Sequence, residues 1–179
     1  MKYNPLAVLI FCFTCIYMNS QEKKAGPVIE EFGPVWAVEN PGFETDTKAE
    51  FKVVFEIADT PESHTTLNKT IETAARFYNM HAQSGVPVSQ LHVALVVHHK
   101  ASKDIIDQQA YLKRYGVKNP NFDLVKSLLD SGAQVILCGQ SSYSRNIPKE
   151  DLIPDAQIAL SAMTALLQLQ NQGYHLIKF

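Results

Sequence analysis

The sequence is poor in the features that usually announce a function. Three cysteines occur in 179 residues, and two of them, Cys12 and Cys15, lie in an apolar stretch at the N-terminus. Cys138 is then the one thiol in the body of the chain, which excludes an internal disulfide there and leaves stability to a packed core. No GxGxxG follows a predicted strand, and neither a GxxxxGK[S/T] loop nor a GxSxG elbow occurs. Dinucleotide, nucleotide and ordinary serine-hydrolase chemistry lose their usual support. The six histidines show no HxH or HExxH spacing, so no zinc site is expected, nor any other cofactor. Lysine and arginine form no cluster, and the formal charge is −2. Nucleic acid is therefore not an expected partner, nor is an anionic membrane surface. No internal repeat breaks the chain into units.

What is present begins with a leader. Lys2, the apolar run Leu6 to Met18 and polar Asn19-Ser20-Gln21 read as a cleaved secretory signal over residues 1–20. A retained N-terminal anchor is the other reading. Lys2 is the leader's one charged residue, so cleavage moves the formal charge from −2 to −3. The expectation is an exported protein, periplasmic or secreted, without membrane attachment after cleavage. Its odd thiol is then buried, paired between chains, or functional. Residues 21–50 are polar and punctuated by proline and glycine, and read as an extended arm. Within it Pro34-Val-Trp-Ala-Val38 suits a short strand, with Trp36 packed on the body.

Residues 51–179 carry the domain, and its length suits a single core. Phe51 to Ala58 alternates with period two, as a strand does. Residues 67–84 place Leu67, Ile71, Ala74, Ala75 and Tyr78 on one helical face, and Gly85 follows. Leu91 to Val97 is apolar on both faces after His92, which places it in the middle of a covered parallel sheet. Helices are expected over residues 104–115, from Asn119-Pro120 to Gly132, and from Asp155 onward. Strands are expected at Ala133 to Cys138 and at Tyr174 to Lys178. The alternation predicts an α/β fold, a three-layer parallel sheet with helices on both faces and right-handed crossovers.

Ligands in such sheets bind at the carboxyl ends of the strands. Asp59, His98, His99, Cys138 and the terminal Lys178-Phe179 fall there, with His64, Asn68 and Ser141 in the loops beyond. A helix starting at Gly139-Gln140-Ser141 would offer free N–H groups to a Cys138 thiolate. A buried, inert cysteine fits the same position. One of His98 and His99 can face the thiol as its base, since neighbours on a strand alternate sides. A solvated loop residue and a histidine bonded to a carbonyl fit equally. Glu56 reads as a solvated strand position.

The run Val96-Val-His98, then Leu128-Leu-Asp-Ser-Gly132-Ala-Gln-Val-Ile-Leu-Cys138-Gly-Gln-Ser141, resembles the DsrE/DsrF-like family. So does Ile153-Pro-Asp-Ala-Gln-Ile-Ala-Leu-Ser-Ala-Met163, continuing to Leu169-Gln-Asn-Gln-Gly-Tyr174. The likeness is nearest to exported single-domain members with a Cys-Gly-Gln-Ser turn. It implies a DsrE-like fold assembled as homo-trimers or hexamers, and a role as a persulfide carrier or transferase. On that reading Cys138 carries the sulfur and His98 helps set its protonation. His99, Gly139, Gln140, Ser141, Asp59 and Asn68 line the site, and a sulfur donor or acceptor protein is the partner. Relatives tend to follow the strand-end histidine with glycine, where this chain has His99, which implies a tighter backbone. Characterised relays are cytoplasmic, so export is the larger departure. A non-enzymatic oligomeric module binding a ligand or protein at the same rim, and an interchain disulfide at Cys138, are the alternatives.

Overall fold

The computed structural model describes residues 22–178. The leader expected at residues 1–20 lies outside the described residues, as do Gln21 and Phe179. Five parallel strands form one sheet: β1 Phe51–Ile57, β2 Leu91–Val97, β3 Gln134–Cys138, β4 Gln157–Ala159 and β5 His175–Ile177. Their order is β4-β3-β2-β1-β5. The middle strand is β2, and it is the one whose apolar run admits no solvent face. Five α-helices connect and cover the sheet: α1 Lys69–Gln83, α2 Gln108–Tyr115, α3 Phe122–Asp130, α4 Gly139–Ser144 and α5 Ala162–Asn171.

Strand order and handedness together decide which face each helix covers. From β1 to β4 the chain advances in one direction, so right-handed crossovers put α1 and α3 on one face. The last strand returns to the far edge beside β1, and the same handedness sends α5 to the opposite face. The first face buries Val53, Phe55, Ile57, Val93, Leu95, Val135 and Leu137 against Ile71, Tyr78, Tyr111, Leu124 and Leu128. The second buries Val54, Ala94, Val96, Ile136 and Cys138 against Ala162, Ala165 and Leu169 of α5. A helix is about 10 Å across and strands lie ~4.8 Å apart, so α5 alone shields about two strands.

The arm is part of the first face. Ile29 and Val35 are buried, and the buried side chain of Asn79 on α1 ties the arm down. Its Oδ1 accepts from the N–H groups of Val28 and Ile29, and its Nδ2 donates to the carbonyls of Ile29, Phe32 and Gly33. A Cβ at Gly33 would lie 2.5 Å from the backbone nitrogen of Arg76, so only glycine fits there. The short strand expected at residues 34–38 reduces to one antiparallel bridge between Lys24 and Val35. Trp36 is half exposed, with the Lys23 ammonium 5.5 Å from its ring centroid, and it lines a surface hollow with Met80 and Gln83 of α1.

Three boundaries differ from the sequence reading. The helix expected over 104–115 is a 3-10 segment, His99–Ile105, followed by α2. Asp107 makes the break, capping α2 by accepting from the Ala110 N–H at 2.6 Å. Asn119 does not cap α3: its amide donates to the carbonyls of Asp104 and Ile106, and the helix starts later, at Phe122. Asp155 does not cap α5 either. It has a left-handed φ of +73°, the unexpected strand β4 intervenes at Gln157–Ala159, and Ser161 caps the helix by accepting from the Thr164 N–H.

Candidate functional site

Cys138 ends β3, and pairing with Ala159 on β4 fixes its register. Its side chain points to the second face and is 6% exposed. The chain turns into α4 directly after it, and α5 begins just beyond β4, the neighbouring strand. Two helix starts therefore meet at one sulfur. Burial pushes the thiol's pKa up. Against this act the N–H groups of Ser141, Ala162 and Gln140 and the Ser141 hydroxyl, and together they hold the thiol below its ordinary value.

The residues around the sulfur act chiefly through the backbone. A Cβ on Gly139 would lie 2.6 Å from the carbonyl oxygen of Ala159 and 3.0 Å from that of Leu160. Glycine is what lets the segment entering α5 come close enough for Ala162 to face the thiol. Gln140 Nε2 donates to the Leu160 carbonyl at 3.3 Å and holds the same segment. Ser141 Oγ accepts from the His99 N–H at 3.0 Å while serving the sulfur. His99 has a φ of +52°, a region that costs a non-glycine residue roughly 1–2 kcal/mol. Its exposed side chain contributes nothing to that contact; its N–H does.

His98 sits one position past the Val97–Leu137 pair of the β2–β3 ladder, beside Cys138. Among the described residues its imidazole has one hydrogen-bond partner, and that partner is not the thiol. Nε2 lies 3.0 Å from Oε1 of Glu56 on β1. The other Glu56 oxygen lies 2.8 Å from Nζ of Lys178, just past β5. The Lys178 hydrogen bond is the largest influence on Glu56. With His98 it outweighs burial and holds the carboxyl below its ordinary value.

Asn68 serves the scaffold two strands away, and Asp59 joins it only through its carbonyl, its exposed carboxylate acting on Lys178 instead. The Asn68 side chain is buried, caps α1 through Thr70, and donates to the Asp59 carbonyl and to Asp104 Oδ2. Asp104 is itself buried against Lys103, at 2.6 Å. Glu56 and Ala162 escaped the sequence reading, and Lys178 was only half read. Glu56 and His98 share strand parity, which was a usable signal once β1 and β2 were neighbours. Lys178 was placed at the rim without a partner. Ala162 offers only a backbone N–H and left no signal in the sequence. Among the described residues no three His, Cys, Asp or Glu side chains form a group that could hold a metal ion. No helix among them is long and apolar enough to cross a membrane.

Comparison with known proteins bears on both family and fold. The family model of the DsrE/DsrF-like family matches residues 52–179. A solved structure of a protein of unknown function from Methanobacterium thermoautotrophicum superposes with a TM-score of 0.55 at 15% identity. The match covers 72% of this chain and 99% of the other, and at that identity it speaks for the fold alone. No protein of curated function matches the chain.

Proposed function

The chain belongs to the DsrE/DsrF-like family, and from that premise we propose that it is an exported sulfur carrier working through Cys138. One observation supports the reading above the others: the N–H groups of Gln140, Ser141 and Ala162 converge on a strand-end sulfur. They favour the thiolate, which is the form that reacts. In the loading step the Cys138 thiolate attacks the outer sulfur of a donor persulfide, R–S–SH. A Cys138 S–S bond forms, the donor S–S bond breaks, and the donor sulfur leaves with the electron pair as a thiolate. Unloading is the same exchange in reverse, with an acceptor thiolate attacking the outer sulfur. No external oxidant or reductant enters. Donor and acceptor are thiol-bearing partner molecules or proteins.

The test is mass spectrometry of the purified chain after incubation with a sulfane donor. The expected product is an adduct of about 32 Da on Cys138, removable by a thiol, and absent from Cys138→Ser. Failure to load, together with alkylation no faster than a thiol of unperturbed pKa near ~8.5, would remove the reading.

A second reading, an oligomeric module, draws on a different surface. Leu160, Met163 and Leu167 are 73%, 73% and 62% exposed along α5 and its entry. Such a stripe suits a contact between copies, which is how we read the expected homo-oligomer. The interchain disulfide draws on no observation beyond the thiol itself. Non-reducing electrophoresis reports on it directly.

A further inference from the structure

Lys178, Glu56, His98 and Cys138 stand one per strand on the second face, across β5, β1, β2 and β3 at their carboxyl ends. Glu56 and His98 follow Val54 and Val96 on that face, and Cys138 belongs to the same buried cluster as those two valines. Lys178 follows Leu176, which pairs with Val54. The row is thus fixed by strand order and register, and its last member is the thiol.

We infer that Glu56 and Lys178 are positioning residues that set the proton inventory of His98 for chemistry at Cys138. A carboxylate can only accept, so the 3.0 Å contact requires the proton of His98 to sit on Nε2. Nδ1 is left as the ring atom that can take or release a proton. A carboxylate acting on His98 alone would favour the imidazolium. Lys178 engages the second oxygen at 2.8 Å, so the carboxylate is shared between an ammonium and the ring. The other charged groups near the row are Asp59, which acts on Lys178, and the neighbouring His99. No residue of α5, which covers this face, carries a charge.

This inference rests on the sulfur-carrier reading and gives His98 its part in it. On unloading, an acceptor thiol passes its proton to Nδ1, and the resulting thiolate attacks the outer sulfur of the Cys138 persulfide. The new S–S bond forms as the Sγ–S bond breaks. The electron pair returns to Sγ, where the helix N–H groups receive it. The imidazolium then gives the proton to the next departing donor thiolate.

The test reads His98 directly, by NMR titration of its ring in the full chain, together with single-turnover unloading rates. Glu56→Gln keeps an acceptor oxygen but removes the charge, and should lower the His98 titration midpoint by about half a pH unit or more. Lys178→Met frees the carboxylate and should raise it by a similar amount. Unloading should slow about tenfold in Glu56→Gln and on the order of 10²-fold in His98→Gln. Adding Glu56→Gln to His98→Gln should cost nothing further. Midpoints that move in the same direction in both variants, or in neither, overturn the inference; so does an added loss in the double variant. The titrations need no sulfur donor. If the wild-type chain fails to load while the opposed shifts appear, the carrier reading falls and the Glu56–Lys178 device stands.

Discussion

One face of the sheet buries Phe55, Tyr78, Tyr111 and Leu124 beneath three helices and the arm. The other buries Val54, Ala94, Ala162 and Ala165 beneath α5 alone. Large side chains on the first face interlock with their neighbours and carry most of the apolar burial that stabilises the domain. Small ones on the second let a helix backbone settle close to the strands. That closeness is what brings the first N–H of α5 to the sulfur of Cys138. The faces thus divide the labour: substitutions on the first should register in stability, and those on the second in thiol reactivity.

The largest expected effect tests the first face. Asn79→Ala leaves up to five backbone groups of the arm without their partner, and should cost about 3 kcal/mol in denaturant unfolding. Cys138 alkylation should stay within about twofold of wild type below the transition. An equal loss of thiol reactivity would break the division. Gly139→Ala tests the other side. Its new Cβ must push the Ala159–Leu160 carbonyls away, drawing Ala162 off the sulfur. Alkylation at neutral pH should fall about three- to tenfold, with a stability loss of about 1–3 kcal/mol from the crowding. A faster thiol would show that Ala162 is not needed.

Leu167→Lys, on the exposed stripe of α5, should change unfolding by no more than ~0.5 kcal/mol. Light scattering should nevertheless report a smaller particle if copies meet there. An unchanged mass removes the stripe from the assembly. The smallest effect concerns acid. The Glu56 carboxyl is held below its ordinary 4.5, first by the Lys178 hydrogen bond and then by His98. A carboxyl depressed on folding contributes stability that is complete above its unfolded pKa and is lost as pH falls through the folded one. Glu56→Gln should therefore lower stability slightly at neutral pH and flatten the profile below about pH 4.5, so that the two curves converge in acid. Parallel curves at acid pH would show the pair to be energetically silent.

Much of this was legible in the residues, for reasons that can be named. The β2 run, apolar on both faces, has one comfortable place, and it occupies it. Cys138 was readable because a strand end, a glycine and a helix start follow one another in the chain. The start of α5 was not. Ile158 fits a helical stripe as well as a strand, and β4 is only three residues long. Its pairing with β3 decides the matter, and pairing is not local information. The same reason hid Ala162, whose contribution is a main-chain group delivered from another strand. Glu56 looked like a solvated position because its partners, His98 and Lys178, lie just past β2 and just past β5. Each site residue taken from a loop, Asp59 and Asn68 among them, was plausible by position, but the structure gives Asn68 to the α1 cap.

The arm has a consequence for where this protein begins as a physical object. The family match opens at residue 52, yet Ile29 and Val35 are sealed inside the fold and Asn79 is committed to the segment that carries them. A chain trimmed to the shared region would keep every strand and the thiol, but would open a wet gap along α1. The stretch held in common with relatives and the stretch that must cooperate to fold are two different lengths, and the second is the one to express, cut or graft.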